Sequence, residues 1–474
     1  MKIFNSMKKR LFTILAVAIL SVTASYAQAL TGTYFLDNSL FRTRLNPAFS
    51  PRANYFGIPV LANTGVGVYG NVGAGSFLFP KDGQLYTFLN KNVSVEEFER
   101  KLTRYPGADI NFNTDILNFG FYTSSSSFWS FDLGIQMDAS IGIPKDFLMI
   151  LKQGMGSADN IYSLKGFNMF ADASLYAAIG HSRDLSSIVK GLKVGAKFKF
   201  LASVASIGMD LGESTLELSQ DKWTVNSKAQ GTIATPLFRI VPSEEAGKTP
   251  TIQTNLSKIA PAGYGFAFDL GAEYRLSIGS PVDGMTFSLS VLDLGGIFYK
   301  SQNVQHLVSE GSASFSGMND ISLDNNADFS AVAEEIKNDF LALANFKEGE
   351  AADFKLSTFP KIYAGVEMPF LHDKMSVGLL YSAKFMRRST INELTLSYNL
   401  NPCKWFNLGV NWSFLNAWKT LGWVIEFSPK AGVDFFIGSD YTFFNVMPKY
   451  YIPLDKAWAN MRFGLNFMLG SKHK

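Results

Sequence analysis

The chain has 474 residues, 14% aromatic and only 18% charged, with 40 glycines and with 43 Lys and Arg against 40 Asp and Glu. One cysteine, Cys403, excludes an internal disulfide and a cysteine-rich metal site, and four scattered histidines (His181, His306, His372 and His473) lack ligand spacing. With no concentrated basic patch, the balance of charge excludes nucleic acid as a partner, and no cofactor is expected.

Residues 1–27 read as an export signal. Lys2, Lys8, Lys9 and Arg10 form a basic start, Leu11 to Val22 is an apolar run, and Ser25-Tyr26-Ala27 offers small residues for cleavage before Gln28. The run is shorter than the ~20 residues of a membrane-spanning helix. Those four cations account for the formal net charge of +3, since 39 basic side chains then face 40 acidic ones. No later stretch is long and apolar enough for a spanning helix, so any embedding in a membrane must be by strands.

Residues 28–63 contain no long alternating run but do contain Asn46-Pro47-Ala48. Next comes Gly65-Val66-Gly67-Val68-Tyr69-Gly70, which matches the G-x-G-x-x-G dinucleotide fingerprint. That fingerprint binds a pyrophosphate only where it leaves a strand and opens a helix. No helix is predicted after it, and Asp82 and Glu96 stand in no βαβ frame to hold a ribose. The run reads instead as a first strand over 64–79, with glycine on an inward face where another backbone approaches closely.

From about residue 110 the sequence alternates apolar and polar with period two. Trp129, Phe131, Leu133, Ile135 and Met137 interleave with Ser130, Asp132, Gly134, Gln136 and Asp138; Met461, Phe463, Leu465, Phe467 and Leu469 interleave with Arg462, Gly464, Asn466 and Met468. One apolar face opposite a polar, glycine-studded face is the pattern of a barrel in lipid. A soluble sandwich also alternates, but its strands run ~5–6 residues, whereas a tilted membrane span needs ~10.

Thirteen further strands follow the first: 111–123, 127–142, 166–181, 190–205, 261–277, 285–300, 359–369, 374–386, 390–400, 404–414, 420–428, 431–441 and 459–470. Fourteen is even, which puts both ends of the barrel on the periplasmic side. The fold expected is therefore all-β, a transmembrane antiparallel barrel of about 14 strands over 64–474, after a signal (1–27) and an inner segment (28–63). Short connections such as Ser124–Ser127 and Leu371–Asp373 fall at one end, and the insertions 80–110, 143–165, 206–260 and 301–358 at the other. Val95–Arg104 and Phe329–Phe346 read as amphipathic loop helices, and Leu216–Leu218 with Trp223–Val225 as a hairpin.

No nucleophile elbow, zincin or P-loop pattern is present, so no enzyme activity, catalytic residue or metal ligand is assigned. The polar faces carry Asp132, Asp138, Asp269, Glu273, Glu367 and Glu393 beside Lys193, Lys197, Lys199, Arg275, Lys384 and Arg462. Unpaired buried charge is costly, so these are expected to pair across neighbouring strands as a lumen network; a catalytic pair such as Glu273 with Asp269 is the alternative.

Asn46-Pro47-Ala48 ahead of a fourteen-strand pattern resembles the FadL-like superfamily of outer-membrane barrels, and Asp293-Leu294-Gly295 is similar to the PorV-like barrels of Bacteroidota. The resemblance implies an N-terminal hatch folded into the lumen, with Asn46, Pro47 and Ala48 as its motif, in the outer membrane of a Gram-negative bacterium. It also implies two functions. One is passive uptake of small hydrophobic or amphiphilic molecules, for which the inward aromatics Phe170, Tyr176 and Tyr363 are hints. The other is anchoring or shuttling of secreted or surface proteins in type IX secretion, through the insertions 206–260 and 301–358. A purely structural barrel is the third reading. Beyond membrane lipids, the candidate partners are accordingly a small hydrophobic ligand or a secreted protein. An apolar tunnel or a lateral opening favours uptake; a lumen sealed by paired charges favours anchoring.

Overall fold

The computed structural model describes residues 30–470 except 38, 154–159, 219–222, 242–250, 256–259, 278, 280–282, 316–346, 389, 404, 415–420, 430–431, 443–445, 448–451 and 454–457. The expected signal (1–27) and the expected helix Phe329–Phe346 lie outside the described residues.

Fourteen antiparallel strands close into one ring. They are β1 (Asn54–Gly57 and Thr64–Gly70), β2 (Gly107–Ser124), β3 (Ser127–Gly142), β4 (Asn168–Asp184), β5 (Leu192–Asp210), β6 (Gly263–Arg275), β7 (Thr286–Tyr299), β8 (Lys361–Phe370), β9 (Met375–Phe385), β10 (Thr390–Cys403), β11 (Phe406–Ser413), β12 (Leu421–Phe427), β13 (Val433–Thr442) and β14 (Trp458–Leu469). Each pairs with its successor, and β14 pairs with β1 to close the sheet. Closure removes the unpaired strand edges that lipid would not tolerate.

The period-two pattern sorts the side chains as expected. In β6, Phe266, Phe268 and Leu270 are 45–52% exposed on the outside, while Ala267 and Asp269 between them are at most 3% exposed. Outward rings meet across strands, Phe198 with Phe268 at 5.3 Å between centroids and Phe119 with Phe131 at 5.3 Å. An apolar belt of this extent around a soluble protein would be a large liability; around a barrel it is the lipid-facing surface. No described helix is long and apolar enough to cross a membrane.

β1 departs from the predicted span of 64–79. It starts at Asn54, breaks over residues 58–63 and ends at Gly70. Pro59 has no N–H to give the ladder, and Val60 adopts a left-handed φ of 67°, so the strand bulges. Neighbouring backbones still hold the bulge: Val60 N donates to Asp115 O at 2.8 Å and Leu465 N to Leu61 O at 2.8 Å. Its Val60 and Leu61 are exposed on the outside, while Ala62 and Asn63 are buried. After Gly70 a single helical turn, Ala74–Phe77, does follow, contrary to the sequence reading, but it leads into a hairpin of Leu78–Lys81 with Gln84–Thr87. Asp82-Gly83, both at positive φ, make the hairpin's tight turn.

The described parts of the connections at the other end from the short turns carry strands and helices of their own. Trp223–Ala234 pairs with Val304–Phe315 along twelve residues and with the end of β5, so the wall continues above the ring there. Leu216 opposes Val225 and Leu218 opposes Trp223 in the anticipated hairpin. The first loop helix spans Val95–Glu99, shorter than Val95–Arg104, with Ser94 Oγ capping Glu97 N at 3.1 Å. Lys145–Gln153 forms a helix that periodicity did not announce.

Candidate functional site

Leu30–Phe49, whose residue 38 is outside the described residues, lies inside the ring. Leu30, Tyr34, Phe35, Leu36, Phe41, Leu45 and Phe49 pack against the inward Leu292, Tyr363, Leu380, Val424 and Phe436 of the wall as one buried cluster. At one end of this plug, Thr31 N and Gly32 N donate to the two carboxylate oxygens of Asp440 on β13, each at 2.8 Å.

At the other end sits Asn46-Pro47-Ala48. Asn46 is fully buried; its Oδ1 accepts from Ala48 N at 2.9 Å, closing a local turn, and its Nδ2 donates to Ala272 O of β6 at 3.1 Å and Leu289 O of β7 at 3.3 Å. Ser182 Oγ of β4 donates to Ala48 O at 2.9 Å and Ser290 Oγ of β7 to Leu45 O at 2.6 Å. Glycine in the facing strands makes room. A Cβ on Gly195 would lie 2.0 Å from Pro47 O, and one on Gly271 2.0 Å from Asn46 Oδ1. The glycine of the polar faces is therefore partly a seat for this motif.

Charges surround the plug. Arg44, on the plug, bonds Asp115 of β2 and reaches Asp132 of β3 at 2.7 Å. Lys197 of β5 meets Asp132 at 2.8 Å, and Tyr176 Oη donates to Asp115 Oδ1 at 2.5 Å. A second cluster centres on Asp293, which contacts Lys199 at 2.5 Å and Lys361 at 2.8 Å, while Lys199 also pairs with Asp269 at 2.8 Å. Asp293 stands at φ 59° in a bulge where two residues of β7 oppose one of β6. That bulge turns its carboxylate inward, out of the period-two order.

The remaining network residues are placed as follows. Lys193 meets Glu273 at 3.3 Å directly across β5 and β6, and Lys384 meets Glu393 at 3.8 Å with both side chains buried. Glu367 is buried facing the plug's Asp37–Arg42 pair. Asp138 opposes Asp172 rather than a cation in the β3–β4 register. Arg462, 1% exposed, meets amide oxygens, Asn113 at 2.6 Å and Asn63, and lies 4.6 Å above the Phe41 ring. Among the described residues it has no carboxylate at ion-pair distance. Arg275 leaves the lumen, pairing with Asp373 at 2.9 Å on the exposed short-turn rim.

Sequence reasoning missed Arg44, Asp115, Asp293 and Lys361. The two aspartates sit at register shifts, which no fixed alternation reveals, and Arg44 belongs to a segment without periodicity. Phe170, Tyr176 and Tyr363 do point inward, yet Tyr363 is packed against the plug and Tyr176 donates to Asp115.

Above the plug two cavities, of about 100 and 70 Å³, share Asn113, Gln136, Asp293 and Lys361. Their walls mix amides and charged groups with apolar side chains, Phe41 and Leu292 in the first and Phe112, Leu201 and Ile297 in the second, and Asn63 of the β1 bulge lines the first.

A closed ring with an apolar belt and a filled lumen defines an outer-membrane β-barrel. The chain belongs to a family of unknown function, DUF5723, which matches residues 47–440. No curated protein matches the chain. Among solved structures it is similar to the Pseudomonas putida toluene transporter TodX, with 8% identity, 94% of this chain and 96% of that one covered and a TM-score of 0.31. It is also similar to BauA, the ferric preacinetobactin receptor of Acinetobacter baumannii (9% identity, 90% and 60% covered, TM-score 0.23), and to the Escherichia coli K12 ferric-catecholate import receptor Fiu (8%, 90% and 82%, TM-score 0.21).

Proposed function

We propose that the chain, exported through the signal at 1–27, is a plugged outer-membrane barrel of a Gram-negative bacterium that passes small amphiphilic molecules from the outer face into the membrane plane. The observation that carries this reading is the break in β1 at 58–63, lying beside the charged chamber. The chamber suits a polar or charged head, since a wholly apolar molecule there would strip water from Lys199, Lys361 and Asp293 without replacing its hydrogen bonds. The bulge, with Val60 and Leu61 outward and Asn63 inward, offers the tail a way to lipid. In this reading Leu30–Phe49 is the hatch that keeps the axis shut.

A second reading, a barrel that anchors or shuttles a secreted protein as PorV-like barrels do, is favoured by one feature: paired charges bind the plug to the wall. Gentle purification from outer membranes followed by mass spectrometry distinguishes the two. The uptake reading expects a bound amphiphile in the wild type that is lost when the bulge is removed by deleting 59–62. A stoichiometric protein partner without lipid would overturn it in favour of the second.

A further inference from the structure

Met386–Arg388, in the short connection from β9 to β10, does not stand up from the rim. It reaches across the mouth. Arg387 pairs with Asp172 of β4 at 2.8 Å and lies 4.0 Å over the Phe170 ring; Arg388 faces Asp109 of β2 at 3.7 Å. In a ring of fourteen, β9 and β2 stand seven strands apart, diametrically opposed, so the two arginines span the lumen.

The far wall is shaped to receive them. A Cβ on Gly107 would fall 2.3 Å from the Arg388 guanidinium carbon, and one on Gly142 3.1 Å from its Nε. Ser206 Oγ hydrogen-bonds the Asp172 carboxylate from the neighbouring strand. Arg387 and Arg388 are 18% and 12% exposed, so these are not loose surface pairs. Met386 packs against the cluster of Tyr69, Ile391 and Tyr441, on β1, β10 and β13. Directly beneath, a small cavity bounded by Asp138, Ser140 and Arg387 adjoins the chamber.

We propose that Met386–Arg388 is a strap that shuts the outer mouth over the charged chamber, held by the Arg387–Asp172 and Arg388–Asp109 pairs, and that its release admits solute to the chamber. The inference rests on the reading of the chain as an outer-membrane barrel with this end outward, and on no particular ligand. Three acidic side chains, Asp109, Asp138 and Asp172, line the wall the strap covers, so its departure bares an acidic surface at the entrance.

The test is thiol accessibility on whole cells. Cys403 is replaced by serine, and Ser140, 7% exposed beneath the strap, is replaced by cysteine. Cationic and anionic membrane-impermeant methanethiosulfonate reagents are both applied, because loss of two positive charges alone would speed one and slow the other. R387A/R388A is expected to raise both labelling rates by at least tenfold, and R387K/R388K to keep them within about threefold of the parent. Unchanged rates in R387A/R388A, or acceleration of the cationic reagent alone, would overturn the strap. If the double alanine variant does not fold, R388A alone is read by the same criteria. A Gln253→Cys control, exposed on an outer loop, separates the two inferences. Failure to label at Gln253→Cys overturns the outward assignment, and with it the strap; labelling there with no response at Ser140→Cys overturns the strap alone.

Discussion

Arg44 shows how one side chain couples the plug to the wall. Its guanidinium joins Asp115 and Asp132, both with fully buried side chains, and Lys197 completes the group. Removing the cation leaves two carboxylates in a space shared with one lysine. Breaking a buried pair in this way costs about 3–5 kcal/mol, more than the pair itself contributes over an apolar replacement. Arg44→Ala is therefore expected to lower the unfolding free energy of the protein refolded in lipid vesicles, measured by urea titration, by that amount, whereas Arg275→Ala, on the exposed rim, should change it by less than about 1 kcal/mol. Equal effects would refute the distinction between lumen and rim. From the sequence, Arg275 and Lys197 look alike, since both sit on polar positions of alternating runs. What separates them is where each strand ends, a tertiary fact. Arg44 carried no signal, because its partners lie on strands far along the chain.

At the scale of the element, the strands were legible and their irregularities were not. Each of the fourteen predicted segments overlaps one strand of the ring, because a wall with lipid on one side and a filled lumen on the other imposes period two on every span. The breaks follow other rules. Asp293-Leu294-Gly295 was visible as a tripeptide, but the left-handed turn that aims Asp293 at two lysines depends on the strands beside it. The glycine run at 65–70 proved to be strand, with Gly65 under Arg462, which comes within 2.7 Å of where a Cβ would be. Pro59 was the available sign that β1 would break. If the bulge presents Leu61 to lipid at mid-depth, Leu61→Arg should destabilise the barrel by about 2–4 kcal/mol in vesicles. A change below 1 kcal/mol would instead put Leu61 in water. Either result is read from the urea titration.

For the whole molecule, a closed ring predicts behaviour as well as shape. The unboiled protein should run faster than the boiled one in detergent gels, and the N-terminus recovered from outer membranes should be Gln28; identical mobility would be incompatible with a closed barrel, and an intact Met1 with the cleaved signal. The order of events in folding is constrained too. The plug precedes β1, and β1 is also the strand that meets β14 when the ring shuts. Only residues 50–53 join the two, a reach of roughly 14 Å at full extension. Leu30–Phe49 grips β4, β6, β7 and β13 from within, so it is expected to dock before the seam is made. In that order the last seam is sewn around contents already in place, and the lumen's inner surface is shaped as much by the plug it closes on as by the membrane outside.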